Sequence, residues 1–500
     1  MSRKQHSGDF FSIMEQEEYV WAMRTSVNEQ KLLEEQEEEM EDEDDEKVTL
    51  FDREEGTMNM LLVYKTTILA SFVPDEIIFN LNDYTSKTFD ASILCGDVSG
   101  FTELCETYNQ IGSGGPSRLT DMLNNFIGAM VQEIMSHGGD VIKFSGDAFL
   151  ALWRCSQSYA MRDYIQEAIN CALVIQKSHN NFITDVGVTL RVKLAISSGA
   201  ILFSLIGDSL LSHYIEVGQP ILDTKDILEI CHAGDIIISE KAYAYVDVSA
   251  YLTEEVSGGK YIRIFGVGAS WRQIQKFSTH SRYATPSKFL EETDSDASSS
   301  SRESLLKRRQ SSEFALRPMV NEAATNAKNL YEHLKKFIIP PVMQRIELDE
   351  PLEHLTELRQ ITVIMINIVP HSITFDSLIG LVKRIYRIIT IHIQKFSGCI
   401  NKVSCFDKDL MCVLIFGLRG LKQDLECRNA LRCAGLIYED IYVLSKVKGV
   451  SIGVSTVSNF KFSYKDSNIM KYFAVFLWIN LSPLNTFVFG KQMFLELIFI

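Results

Sequence analysis

Two stretches decide how this chain folds: Ile93–Phe101, ILCGDVSGF, and Gly138–Trp153, GGDVIKFSGDAFLALW. Each sets one aspartate at the end of an apolar run. Asp97 follows Ile93-Leu94-Cys95-Gly96, and Asp147 closes a tight Ser145-Gly146-Asp147 step. An apolar strand that ends in turn residues carries its last side chain to the sheet edge. Two carboxylates brought to one edge by a crossover are a usual way to hold a phosphate-bound divalent cation. The plain alternative is a pair of turn-capping carboxylates on a purely structural sheet.

Working outward, residues 90–265 read as one α/β domain. Ala91–Val98 is a strand. Arg118–Ser136 repeats apolar residues at three and four, from Leu119, Met122 and Leu123 to Ile134, which predicts a helix with one buried face. His137-Gly138-Gly139 stops it. Asp140–Phe144 and Ala148–Trp153 form a predicted hairpin. A second helix over Asp163–His179 leads to a strand at Thr189–Ile196, ended by a turn at Ser197-Ser198-Gly199. From Gly207 a further loop, a helix and a strand at Asp235–Ser239 complete it. The order strand-helix-strand-strand-helix-strand is that of an α+β, ferredoxin-like core.

The pattern then returns. Ile361–Ile368 repeats the first strand and Leu378–Phe396 the helix. Ser397-Gly398-Cys399-Ile400-Asn401-Lys402-Val403 repeats Gly138–Phe144, and Met411–Phe416 and Gly449–Val454 repeat the later strands. A repeat of this length is a whole domain rather than a solenoid unit. Two such domains suggest a pseudo-twofold pair with a composite site between them. The second copy keeps neither carboxylate: Asn367 stands for Asp97, and Phe406, beside Asp407, for Asp147.

GDVSGFT at Gly96–Thr102, the GGDVIKFSGDAFLALW stretch and VGQPILDTKDI at Val217–Ile227 together resemble the class III nucleotidyl cyclases. The likeness is to the tandem catalytic region of the soluble, bicarbonate-responsive adenylyl cyclases. It covers residues 85–265 well and 350–460 more loosely. The resemblance implies two Mg2+ or Mn2+ ions on Asp97, Asp147 and the Val98 carbonyl, with ATP as substrate. Ser99, Gly100, Phe101 and Thr102, opening the next helix, would meet its phosphates. Lys402 matches the lysine that accepts the adenine ring. Lys143 and Lys225 match the family's bicarbonate site, with Lys225 where arginine is expected. Lysine keeps the charge and loses the planar fork, so a weak or absent response is expected.

The resemblance also implies an Asn in the second domain with an Arg four residues on, which hold the ribose and the transition state. After Ser455 no such pair occurs, and no arginine follows Arg432. Two functions are therefore carried: an adenylyl cyclase, or an inactive homologue that binds nucleotide or pairs with another cyclase chain.

Composition bounds the rest. A net charge of −16 argues against non-specific nucleic-acid binding. Ten cysteines without a CxxC pair, and no secretory signal, lead to an expectation of reduced thiols in the cytoplasm. Residues 1–60 include the acidic run Glu34–Glu46 and read as disordered. Residues 266–345 read as a linker, Ser-rich and disordered around 292–312, where Arg308-Arg309-Gln310-Ser311 has the charge context of a basophilic kinase site. Residues 461–500 diverge from the cyclase pattern. Within them Tyr472–Gly490 is uncharged and near the length of a membrane span, but Asn480, Ser482, Pro483 and Asn485 make an anchor the lesser expectation.

Overall fold

The computed structural model describes residues 61–79, 86–270, 327–350 and 357–462, apart from 71, 113, 146, 156–159, 209, 372–373 and 407–408. The acidic N-terminal run, the Ser-rich stretch with Ser311, and Tyr472–Gly490 lie outside the described residues.

The first domain starts with α1 (Asp75–Phe79), β1 (Ser86–Ser99), α2 (Phe101–Gln110), α3 (Gly115–Ser136), β2 (Asp140–Ser145) and β3 (Ala148–Arg154). It continues with α4 (Met161–His179), β4 (Phe182–Ile183), β5 (Thr189–Gly207), β6 (Ser212–Val217), α5 (Gln219–Ile230), β7 (Ile236–Ser239), α6 (Glu240–Tyr243), β8 (Tyr251–Val256) and β9 (Tyr261–Val267). Its sheet runs β2-β3-β1-β5-β7-β9-β8, with β4 and β6 also paired to β5. The leading β2-β3-β1-β5 path is antiparallel throughout, as the ferredoxin-like order requires. The apolar stripe of α3 packs Leu119, Leu123, Phe126, Met130 and Ile134 into a core shared with α4 and the sheet.

The second domain holds α7 (Ala327–Lys335), α8 (Pro340–Glu347), β10 (Glu357–Pro370), α9 (Phe375–Lys395), β11 (Cys399–Phe406), β12 (Asp409–Phe416), α10 (Glu426–Tyr442) and β13 (Val447–Phe462). Its sheet, β11-β12-β10-β13, repeats the first path strand for strand. One packing detail repeats as well. A Cβ on Gly139 would lie 2.6 Å from the Trp153 ring, and one on Gly398 2.7 Å from the Phe416 ring. In both copies the helix-to-strand corner is pressed against the aromatic that ends the hairpin. The fold is α/β, with two sheets of unequal size, the second smaller.

Three expectations are corrected. The strand from Thr189 does not end at Ser197-Ser198-Gly199. It runs on to Gly207, because β1 pairs with it continuously from Ser99–Arg191 to Ser86–Ser204. Ser197 and Ser198 are buried rather than turned to solvent. Residues 327–345, read as linker, contain α7 and most of α8. Leu330, Leu334, Val342 and Ile346 join Leu69, Val73 and Ile77 in a separate apolar cluster against Ile361 and Ile415 of the second sheet. Finally, β6 is an added strand whose Ile215 and Val217, with Ile206 of β5, pack among Ile364, Leu378, Val382 and Tyr386 of the second domain. The first domain thus lends an arm to its neighbour's core.

Candidate active site and its twin

Asp97 sits near the end of β1, opposite Ala148 of β3 on one side and Lys193 of β5 on the other. The Lys193 Nζ lies 3.2 Å from the Asp97 Oδ2. The Val98 N–H donates to the Asp147 carbonyl at 3.1 Å, which ties the hairpin turn to β1 and draws the two aspartates together. Gly100 caps α2 with φ 94°, a left-handed backbone open to glycine. A side chain there would also strike the Thr189 carbonyl at 2.7 Å. The strand therefore breaks at once into a helix, and Phe101, Thr102 and Glu103 of its first turn line the same cleft as the aspartates.

Asp97, Val98, Ser99, Gly100, Phe101, Thr102 and Asp147 line one cleft of ≈ 630 Å³. Glu103, Glu106 and Lys193 complete its wall. These three escaped the sequence reading. Lys193 could have been found from strand register, since β5 must pair beside β1, but no motif marks it. Neither nearby thiol is a nucleophile: burial pushes Cys95 up to about 12, with the Asp97 charge adding to the effect, and holds Cys105 far above its usual range.

The donor set suits a hard cation. Carboxylates and a backbone carbonyl are the ligands of Mg2+, which keeps only one or two protein carboxylates and takes its other oxygens from water and phosphate. Among the described residues no three His, Cys, Asp or Glu side chains cluster to close a cation site alone.

Lys402, on β11, is not part of that cleft's lining. Its Nζ crosses from the second sheet to donate to the Phe144 carbonyl at 2.9 Å, three residues before Asp147. Lys143, on β2, makes a buried ion pair with Glu216 of β6. Lys225 lies half-buried on α5.

The second sheet carries the same frame with other side chains. Lys143 and Lys402 each follow a register shift, at Val141/Lys143 and Ile400/Lys402. Asn367 faces Met411 and Ser451 where Asp97 faces Ala148 and Lys193. Counting along the chain had set Phe406 against Asp147. The ladder corrects this: β2–β3 closes at Ser145–Ala148, but β11–β12 continues past Ser404–Met411 to Phe406–Asp409. The hairpin is longer, and the residue that precedes Asn367's partner is the buried Leu410.

Comparison with known proteins gives this geometry its family. The family description "Adenylate and Guanylate cyclase catalytic domain" matches residues 84–265. Residues 84–265 are a class III nucleotidyl cyclase catalytic domain. Human adenylate cyclase type 10 is 27% identical over 398 residues, 78% of this chain. The chain spans only 23% of that protein's length. An adenylate cyclase of Mycobacterium tuberculosis is 27% identical over 165 residues, 31% of this chain and 34% of its own. Among solved structures, the adenylyl cyclase CyaB from P. aeruginosa is 18% identical with a TM-score of 0.31, covering 36% of this chain and 96% of its own. The guanylate cyclase domain of RhGC from Catenaria anguillulae is 19% identical, also with a TM-score of 0.31, covering 37% and 100%. No helix among the described residues is long and apolar enough to cross a membrane.

Proposed function

We propose that the cleft binds a nucleoside triphosphate and that the chain is an adenylyl cyclase, converting ATP to 3′,5′-cyclic AMP and pyrophosphate. The observation that carries this reading is the convergence of Asp97, Asp147 and the N-terminus of α2 on one cleft. A triphosphate needs backbone donors and positive charge. The first turn of α2 offers the former and Lys193 the latter.

Two Mg2+ or Mn2+ ions, held by Asp97, Asp147 and the Val98 carbonyl, would supply the charge that lowers the pKa of the ribose 3′-hydroxyl and offsets the α-phosphoryl oxygens. Asp97 would then give up Lys193, whose ammonium is left to face the phosphates. The amides of Phe101 and Thr102, with the Ser99 and Gly100 turn, would fix the triphosphate. Lys402 would read the adenine from the second sheet, where a glutamate would instead suit guanine. Residues 85–265 and 350–460 would act as the two halves of one pair, in a cytoplasmic protein. A bicarbonate ion at Lys143 would have to compete with Glu216.

A second reading is favoured by one observation: Asn367 replaces the aspartate, and no Asn–Arg pair follows Ser455. In it the chain binds nucleotide without turnover, or completes another cyclase chain. Purified chain, ATP and Mn2+ separate the two. Cyclic AMP above an Asp97→Ala control supports the first. ATP binding that needs Asp147, with no product until an intact second cyclase domain is added, supports the other. Absence of ATP binding, together with no product after an intact second cyclase domain is added, would overturn both.

A further inference from the structure

Lys143 and Lys402 hold the same place in their two sheets and are answered differently. Lys402 reaches across the seam to a backbone carbonyl. Lys143 meets a carboxylate of its own domain, Glu216, and both side chains are removed from solvent, at 10% and 4% exposure. The pair stands at the seam between domains. Its neighbours Ile215 and Val217 pack into the second domain's core. Cys405 of β11 lies within the field of both charges, opposed in effect: Lys143 lowers its pKa and Glu216 raises it, while burial sets it at about 12. The Tyr214 hydroxyl, two residues before Glu216, donates to the Ile142 carbonyl at 2.7 Å, so β6 is pinned to β2 on the side where the pair forms.

A buried ammonium must have an anion, and a small soluble carboxylate or a side chain can serve. A glutamate carboxylate has the charge and the planar O–C–O group of bicarbonate. From this position we infer that Glu216 is a built-in anion: the seam site around Lys143 is filled by the chain itself, and bicarbonate or acetate does not act there. The regulatory meaning of this rests on the paired-cyclase reading above, while the occupancy of the site does not. An arm strand delivers the carboxylate, and the residues on either side of it, Ile215 and Val217, pack into the second domain's core. A soluble anion would leave the occupancy of the site to concentration; a covalently held one makes it permanent.

The test is thermal unfolding of the full chain without nucleotide, in sodium chloride, bicarbonate or acetate at equal pH and ionic strength. The wild-type Tm is expected to be the same in all three. Glu216→Ala should lower Tm in chloride, and bicarbonate or acetate should restore it saturably. Lys143→Ala/Glu216→Ala should be more stable than Glu216→Ala and indifferent to the anion, because no unpaired charge remains. Where Glu216→Ala does not fold, Glu216→Gln takes its place in the titration. A saturable rise of the wild-type Tm with bicarbonate would overturn the inference. So would a folded single variant blind to anions, or a double variant no more stable than the single. Since nucleotide is absent throughout, failure here leaves the Asp97–Asp147 reading standing, and loss of that reading leaves this one.

Discussion

Asp97 stands beside Lys193 in the first sheet, and Asn367 beside Ser451 in the second. The frames agree strand for strand, yet one edge sets an aspartate against a lysine around a cleft, and in the other Asn367 Nδ2 donates to Asp409 Oδ2 at 3.3 Å. The difference shows that the fold and the site are separable. Backbone pairing, the glycine corner and the bulge before each lysine persist when the chemistry is gone. The reason is energetic: buried Ile364, Ile366 and Ile368 hold β10 in place whatever residue 367 is.

The largest expected effect breaks the comparison at its centre. Asp97→Ala or Asp147→Ala should reduce cyclic AMP formation by on the order of a thousandfold, if the chain is active, through loss of charge stabilisation at the reacting phosphate. In an inactive chain the same variants should abolish Mn2+-dependent ATP binding measured by calorimetry. Asn367→Ala should leave both unchanged. An equal loss at Asn367 would mean the twin edge is still a site.

Next is the shared frame. Gly139→Ala and Gly398→Ala each drive a methyl into a buried aromatic, and overpacking of this kind costs about 1–3 kcal/mol. Chemical denaturation should show losses of similar size at both. A loss at only one would show that the two corners are not equivalent.

Across the seam, Lys402→Met removes a charged hydrogen bond to the Phe144 carbonyl, worth roughly 1.5–3 kcal/mol. It should also weaken ATP binding if the lysine reads adenine, whereas a purely structural lysine would lower Tm alone.

The smallest effect is the pH dependence of the arm. Burial holds His213 neutral, its pKa down at about 4 against the usual 6.5. The native state then binds fewer protons than the unfolded chain in that interval, so stability is lost as pH falls from about 6.5 toward 4. His213→Gln should flatten that part of the curve. Glu167 acts with opposite sign: burial raises it to about 7 from 4.5, so its contribution is present below 4.5 and lost as pH rises through 7. Urea unfolding across pH 4–8 measures both.

Much of this was written locally. The three-four spacing of Leu119 to Ile134 and of Leu378 to Phe396 marked both crossover helices, and the glycine turns marked both hairpins. The site's wall from Asp97 to Thr102 was contiguous, so a motif could name it. Lys193 and Glu216 could not be named, because each acquires its role from a strand partner distant along the chain. The helices at 327–347 were missed because their apolar faces are short and find their partners near residues 69–77. Ser197 and Ser198 read as a turn by composition. The β1 ladder overrides that preference, since breaking it would strand the hydrogen bonds of two buried strands.

By itself the sequence determined the two copies of the strand-helix-strand-strand unit, the pair Asp97 and Asp147, and the loss of their counterparts. Those follow from periodicity and turn chemistry, which act over a few residues. Only the tertiary structure decided that Leu410, not Phe406, backs the twin edge, that β6 reaches into the second core, and that Lys143 already has its carboxylate. Register and burial fix these, and both are properties of segments that meet only when the chain has folded.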